Sequence, residues 1–417
     1  STHNRQSSVA RLFPISKATS ALYAQNVGTI TQEGQVKVRL VQGAQIGSVE
    51  EAFAQVLKPG DRFVLAGRCV QMLASKGMTI EVIESAGQMP TVPRWFSGTM
   101  SMEAGLAARM RDFRAKVRAI APAGEGAITR MLMRQYRVDD NVARVAAAYL
   151  HAQHRYADIP TEDELLVERV PDESDGPLGG AATVLVFHTM IGRAANEALA
   201  RAVAYRMSKR FGGKPIAAGH GQQNAVGGRG GATVVVDDYA FGIWVEATTA
   251  ARRADRTLVR SLLSPVNFES DLLAAVETSD LFRAQFRFTA IRAHALLQNK
   301  FGRRRYIGQM QSYATRLYEA LKENHPRHLL ITETRRTVME DILAAPVARK
   351  FLEALPAQNL RLLDLPTPSP FAFGLFATGR RDTLQLADTA DFLLAMYQQV
   401  QRRLAKEKPA AQADLFS

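Results

Sequence analysis

Apolar and polar positions alternate with period two after a turn at Glu33-Gly34, placing Val36, Val38 and Leu40 on one side and Lys37 and Arg39 on the other. That alternation predicts a half-buried strand. Lys58-Pro59-Gly60-Asp61 reads as a tight turn, and RFVLAGRCVQML and MTIEVI follow as short strands broken by Gly and Ser-Lys-Gly. A small barrel or curled meander over 26–92 is the expected closure. The period then lengthens. Pro90 and Pro93 hold MPTVPRWFSGTM extended, and Ser101 is placed to cap a helix. That helix is expected to bury Met102, Leu106, Met110, Phe113 and Val117 and to turn Arg109, Arg111, Arg114, Lys116 and Arg118 to its other faces. Ile128 to Tyr156 reads as two helices joined at Val138-Asp139-Asp140-Asn141, which completes a helical segment over 93–160.

From Gly180 the pattern mixes. ATVLVFH is a buried strand, Arg193 to Phe211 an amphipathic helix stopping at Gly212, and ATVVVDDYAFGIWV one or two further strands. A glycine-rich surface insertion separates that helix from those strands, within a sheet unit over 161–250. Residues 251–406 are mainly helical, with LRLLDL as a strand and Thr389 to Lys406 as the last helix, and 407–417 is a flexible tail. The fold class expected is α+β: the barrel or meander, a mixed sheet-and-helix domain, and a helical C-terminal part.

The most loaded stretch is Leu281 to Gln309. Phe282, Phe286, Ile291, His294 and Leu297 fall near helical spacing, so one face can bury itself while Arg283, Arg287 and Arg292 project elsewhere. A stop is expected near Gly302, followed by a turn carrying Arg303, Arg304, Arg305 and Tyr306. Those residues suit phosphates and bases, and they equally suit a solvated basic turn. Trp95 is similarly open, as a plug between barrel and helix or as a stacking surface.

Composition narrows the partners. The 417 residues are 47% hydrophobic and 22% charged, as in an ordinary globular protein, with net charge +13 and a sequence pI near 10.0. That excess favours an anionic polymer or surface. It is uneven, with 12 Lys and Arg against 5 Asp and Glu from Asp280 to Glu340. The single cysteine, Cys69, rules out an internal disulfide framework and suits a reducing cytoplasm. No run approaches the roughly 18 apolar residues of a membrane span, and no basic-then-apolar leader opens the chain. Ser1 to Ser8 lack an initiator Met and any pattern, as expected of a fragment of something longer.

Catalytic chemistry is not visible. Thr161-Glu162-Asp163-Glu164 stands in the wrong order for a magnesium-binding acidic box, and no Gly-x-x-x-x-Gly-Lys-Ser/Thr occurs anywhere. His151 and His154 lack a third ligand at sensible spacing, and Asp237, Asp238 and Glu246 lack an accompanying histidine. No catalytic residue and no metal site are expected.

From about Asn26 onward the chain resembles the large helicase-related (Lhr) family, including its bacterial ligase-associated DEXH-box branch. The segments NVGTI, EGQVKVRL, SVEEAF with LKPGDRFVLAGR, VPRWFSG, EDELLVE, NEALARAVAYRMSKRFG, VVVDDYAFGIW, FRAQFRFTAIRAHALL with GRRRYIGQ, and TPSPFAFGLF occur in the family's order. Their collinearity carries the likeness. The glycine-rich insertion after Gly212 departs from the family's pattern. Family members begin with two RecA-like motor domains and a winged-helix domain, so the resemblance implies that 1–25 is a fragment end or winged-helix remnant. It further implies an accessory single-stranded DNA-binding region of an ATP-dependent 3′-5′ DNA helicase in DNA repair. No cofactor is expected in this chain, since ATP and Mg would belong to the motor domains, which become partners. A tryptophan of this region stacks on the tracking strand in the family, and Trp95 is its positional match. The implied nucleic-acid-binding set is Arg94, Trp95, Arg303, Arg304, Arg305 and Tyr306, with the Arg303 to Arg305 turn sharing a face with Arg94 and Trp95.

Near the C-terminus, Gln412-Ala413-Asp414-Leu415-Phe416 is similar to the peptide by which bacterial repair proteins dock on the sliding clamp, departing from it at Ala413. Gln412, Asp414, Leu415 and Phe416 would be the partner-binding residues, with Leu and Phe filling an apolar pocket. The competing expectation for the whole chain is therefore a partner-docking scaffold of a repair assembly.

Overall fold

The computed structural model describes residues 16–406 apart from 29–34, 42, 51–52, 55–56, 58, 67, 77–78, 86–101, 174–180, 212–231, 247–253, 278, 301–302, 306, 356–358 and 380–385. They form two compact units. The first gathers residues within 1–60, 71–84 and 280–334; the second gathers residues within 61–70, 85–279 and 335–417.

In chain order, α1 (Lys17–Ala24) precedes β1 (Gln35–Leu40), β2 (Gln45–Glu50), β3 (Arg62–Leu65), β4 (Arg68–Lys76) and β5 (Thr79–Glu84). Then come α2 (Ala104–Ile120), α3 (Glu125–Tyr136), α4 (Asp140–Ala157), β6 (Glu164–Asp172), β7 (Ala182–Phe187), α5 (Arg193–Phe211), β8 (Ala232–Val236) and β9 (Phe241–Glu246). The chain continues through α6 (Arg256–Leu262), α7 (Phe268–Glu277), α8 (Asp280–Arg292), β10 (Asn299–Lys300), β11 (Arg303–Arg304), α9 (Ile307–Asn324) and α10 (Leu329–Arg336). It closes with α11 (Ala345–Ala354), β12 (Asn359–Asp364), α12 (Phe373–Gly379) and α13 (Leu386–Lys406). The mixture is α+β.

The first five-stranded sheet has the order β2-β1-β5-β4-β3. Strand β1 pairs antiparallel with β2 and parallel with β5, Lys37 facing Thr79 and Leu40 facing Val82. A meander places consecutive strands side by side throughout, so of the two expected closures, barrel or meander, the parallel β1–β5 pairing overturns the meander only. The period-two pattern itself is realised: Val36, Val38, Ile80 and Val82 are buried while Lys37 and Arg39 are exposed.

The second sheet, ordered β12-β6-β7-β9-β8, belongs wholly to the second unit. Its pairs are antiparallel except β12 with β6, where Asn359 faces Glu164. Helix α5 packs against β8, β9, α7 and α11. Covered by sheet and helices alike, it is buried nearly all round, including the ion pair Arg201–Glu197 at 2.6 Å. This corrects the amphipathic expectation for Arg193 to Phe211. The alanines at 195, 198, 200, 202 and 204 are small enough to allow close approach on every side.

The mainly helical part expected over 251–406 is divided. Helices α8 and α9, and α10 up to Thr334, belong to the first unit, and α6, α7 and α11 to α13 to the second. No helix among the described residues is long and apolar enough to cross a membrane.

Candidate nucleic-acid interface

In the first unit, α8 turns Phe282, Phe286, Ala290 and Ile291 inward. Tyr318 of α9 meets the two phenylalanines at ring-centroid distances of 5.4 and 5.2 Å. The helix ends at Arg292, ten residues before Gly302. His294 takes the left-handed conformation (φ +55) that usually falls to glycine after a helix. The Leu296 amide donates back to the Ala290 carbonyl at 3.1 Å and closes the end. Of the three arginines expected to project, Arg283 and Arg292 are exposed. Arg287 is buried, its guanidinium 4.8 Å from the Phe288 ring centroid.

Beyond this end the chain forms a two-stranded hairpin, Asn299 facing Arg304 and Lys300 facing Arg303. Arg303 and Arg304 therefore sit on a strand, which corrects their placement on a turn. The Arg305 amide prolongs the pairing by donating to the Gln298 carbonyl at 3.0 Å. Its guanidinium lies 5.4 Å from the Tyr313 ring centroid, and Gln309 Nε2 donates to the Tyr313 hydroxyl at 3.0 Å.

The hairpin is anchored to the end of α1. Asn26 Oδ1 accepts from the Asn299 amide at 2.8 Å, Asn26 Nδ2 donates to the Asn299 carbonyl at 2.9 Å, and Asn299 Nδ2 donates to the Gln25 carbonyl at 2.8 Å. One turn earlier, the Tyr23 ring lies 5.1 Å from that of His294. The fold thus joins the start of NVGTI to the strand leading into GRRRYIGQ. Arg94, Trp95, Tyr306, Gln412, Asp414, Leu415 and Phe416 lie outside the described residues, and so does the expected shared face.

The second unit holds a buried polar centre. Glu164, Glu168 and Asp172 recur every four residues along β6, on one side of the strand. Glu164 lies 3.6 Å from Arg118 and 3.2 Å from Arg361. Glu168 meets His188 Nε2 at 2.7 Å and accepts from the Ser369 amide at 3.1 Å and from its hydroxyl. Asp172 accepts from the Trp244 indole at 2.8 Å. The basic face of α2 also points here. Arg118 pairs with Asp158 at 2.8 Å, Arg111 donates to the Met190 carbonyl at 2.8 Å, and Arg114 is buried over Phe371 at 4.2 Å. Leu106, expected inside, is 51% exposed, whereas Val117 is buried as expected and is joined there by Ala107 and Arg114.

Burial lowers the Arg114 pKa to about 10. Burial likewise pushes Tyr149 up to about 12; 38% of this residue is exposed, yet its hydroxyl donates to the Pro370 carbonyl at 2.7 Å. Asp237 is raised above the ordinary carboxylate range by burial, against the Tyr239 and Ala240 amides that its Oδ1 accepts at 2.8 Å each. Asp238 instead caps α5 by accepting from the Arg193 amide at 3.0 Å. These acids serve as hydrogen-bond acceptors in the frame. The signal for Glu164, Glu168 and Asp172 in the sequence was their four-residue spacing within ELLVERVPD, which marks one side of a strand. Among the described residues no group of three or more His, Cys, Asp or Glu is placed to hold a metal ion.

Comparison with known proteins places this architecture. A family model described as "DEAD/H associated" matches residues 159–219 and 226–372, and one described as "Large helicase-related protein, winged helix domain" matches residues 4–92. The chain is similar to the ATP-dependent helicase Lhr-Core protein 2 of Thermococcus barophilus, 31% identical over 388 residues, covering 92% of this chain and 41% of that protein. It is also similar to the ATP-dependent helicase Lhr-Core of Methanocaldococcus jannaschii, 29% identical over 385 residues, with the same two coverages of 92% and 41%. The chain thus spans about two fifths of the length of these curated relatives. Its fold is similar to that of Mycobacterium smegmatis helicase Lhr, solved bound to ssDNA and AMP-PNP, with a TM-score of 0.53 and 20% identity over 70% of this chain and 34% of that one. Two family models in succession, and relatives matched along nearly the whole chain, agree with the collinear segments: the chain belongs to the large helicase-related (Lhr) family.

Proposed function

We propose that this chain is the accessory single-stranded DNA-binding region of an ATP-dependent 3′-5′ DNA helicase of the Lhr type, acting in DNA repair. One observation carries the proposal: the hairpin bearing Lys300, Arg303 and Arg304 is fixed to Asn26 by paired hydrogen bonds. A basic hairpin held in place through its first strand loses less entropy on meeting phosphates than a free one, and phosphate contacts dominate nucleic-acid affinity. The excess of Lys and Arg between Asp280 and Glu340 supports it, as do the relatives' description as helicases and the ssDNA bound to the mycobacterial neighbour. In this reading Arg303, Arg304 and Arg305 take phosphates, while Arg94, Trp95 and Tyr306 meet the strand. No Gly-x-x-x-x-Gly-Lys-Ser/Thr phosphate loop occurs in the sequence. In this proposal ATP and magnesium would be held by RecA-like motor domains outside this chain, which would be its partners. The tail residues Gln412, Asp414, Leu415 and Phe416 would add a sliding-clamp contact.

Titration of a labelled single-stranded oligonucleotide tests the proposal. Binding should be measurable at about 50 mM salt and weaken steeply as salt rises. It should also drop on Trp95→Ala. Absence of binding at the low salt would overturn the proposal.

A further inference from the structure

Tyr23 is 59% exposed, an unusual setting for a large aromatic residue on a helix that buries none of its own side chains. Its ring is nevertheless held in place. His294 supports it at 5.1 Å with the planes tilted by 43°, and the end of α1 is tied down three residues later by the Asn26 and Asn299 bonds. His294 reaches Tyr23 from a left-handed backbone that a non-glycine residue adopts at a cost in strain. The helix end that this conformation makes also sets up the strand leading to Lys300, Arg303 and Arg304.

An exposed, supported ring beside a basic hairpin is the arrangement by which single strands are held, with phosphates on the cations and a base on the ring. We infer that Tyr23, backed by His294, is a stacking platform for one nucleobase of single-stranded DNA, next to the strand-borne arginines. This rests on the DNA-binding reading above and adds a base contact to it. The site takes any base, because stacking uses the π-face common to all four. Protein partners are disfavoured by charge, since the neighbouring hairpin residues Lys300, Arg303 and Arg304 are cationic with no acidic residue between 299 and 305.

The test uses the full chain and two labelled oligomers of equal length, one of deoxythymidine and one of the same backbone without bases. Tyr23→Ala should weaken binding to the thymidine oligomer roughly tenfold, as loss of one stacked base does, while Tyr23→Phe stays within about twofold of the wild type. On the baseless oligomer the wild type and Tyr23→Ala should bind alike. Equal binding of both proteins to the thymidine oligomer would overturn the platform alone, as would an equal loss on both oligomers. Failure of the wild type to bind either oligomer would overturn the DNA-binding reading and the platform with it.

Discussion

Asn26 and Asn299, 273 residues apart, pair as neighbouring strand residues do: the Asn26 side-chain amide accepts from the Asn299 N–H at 2.8 Å and donates to the Asn299 carbonyl at 2.9 Å. A side chain thus stands in for a peptide group and joins α1 to the basic hairpin. Asn26→Ala removes both bonds, at a cost of about 1–2 kcal/mol. Asn26→Asp keeps an acceptor for the Asn299 amide and loses the donor for its carbonyl, so its effect should be smaller than that of alanine. Hydrogen exchange at the Asn299 amide reads this directly, with clearly faster exchange in Asn26→Ala and a smaller change in Asn26→Asp. Unchanged protection in Asn26→Ala would show that the hairpin is held by other contacts.

Gly242 lies two residues from Trp244 on β9, and a Cβ at 242 would come within 2.6 Å of the indole Cζ3. The indole has no room to move, being fully buried, bonded to Asp172 and set against Phe376 at 5.3 Å. Gly242→Ala should therefore destabilise the second unit by about 1–3 kcal/mol, as overpacking does. Denaturant unfolding followed by tryptophan fluorescence measures it. A wild-type midpoint would contradict the packing described.

Asp237 gives the second unit a pH dependence. Burial raises its pKa in the folded state above the unfolded value of 3.8. The folded state then holds its proton over a range where the unfolded chain has released it. This contribution to stability is present below the unfolded value and is lost as pH rises through the folded one. Asp237→Asn keeps an oxygen for the Tyr239 and Ala240 amides and has no proton to lose. Its unfolding midpoint should fall less than the wild type's as pH rises above the unfolded value of 3.8 through the raised folded one. Parallel profiles would reject the assignment.

Arg114 lies between two rings, 4.2 Å from Phe371 and 5.8 Å from Tyr239. A flat guanidinium can lie on both faces, whereas an ammonium presents a strongly hydrated point charge that resists burial. Arg114→Lys should cost about 1–2 kcal/mol in thermal or denaturant unfolding. A lysine variant as stable as the wild type would show that charge alone, without the planar contact, is what the site needs.

These residues also show where the sequence was legible. Period-two patterning gave Val36 and Val38, because alternation survives whatever the pairing order, and apolar runs gave ATVLVFH, ATVVVDDYAFGIWV and LRLLDL, whereas β2 and β6 were not read as strands. Patterning was silent on that order, since the parallel β1–β5 contact depends on residues more than 40 positions apart. The stop at His294 was hidden because helix ends are read from glycine, and here a histidine adopts the left-handed backbone. Arg114 and Arg287 were misplaced for a related reason. A period-based reading sends every arginine outward, yet aromatic neighbours supplied by distant segments or by the adjacent residue let these two go inside. The basic hairpin was visible as composition, and its attachment to Asn26 was not.

The central claim, that the Arg303 to Arg305 strand meets the phosphates of a single strand, is tested most directly by the salt dependence of binding. Each phosphate contact on single-stranded DNA adds about 0.7 to the slope of log affinity against log salt. Measured with one oligonucleotide, the slope for Arg303→Gln/Arg304→Gln/Arg305→Gln should be smaller than that of the wild type by about 2. A variant that keeps the wild-type slope and affinity would contradict the account.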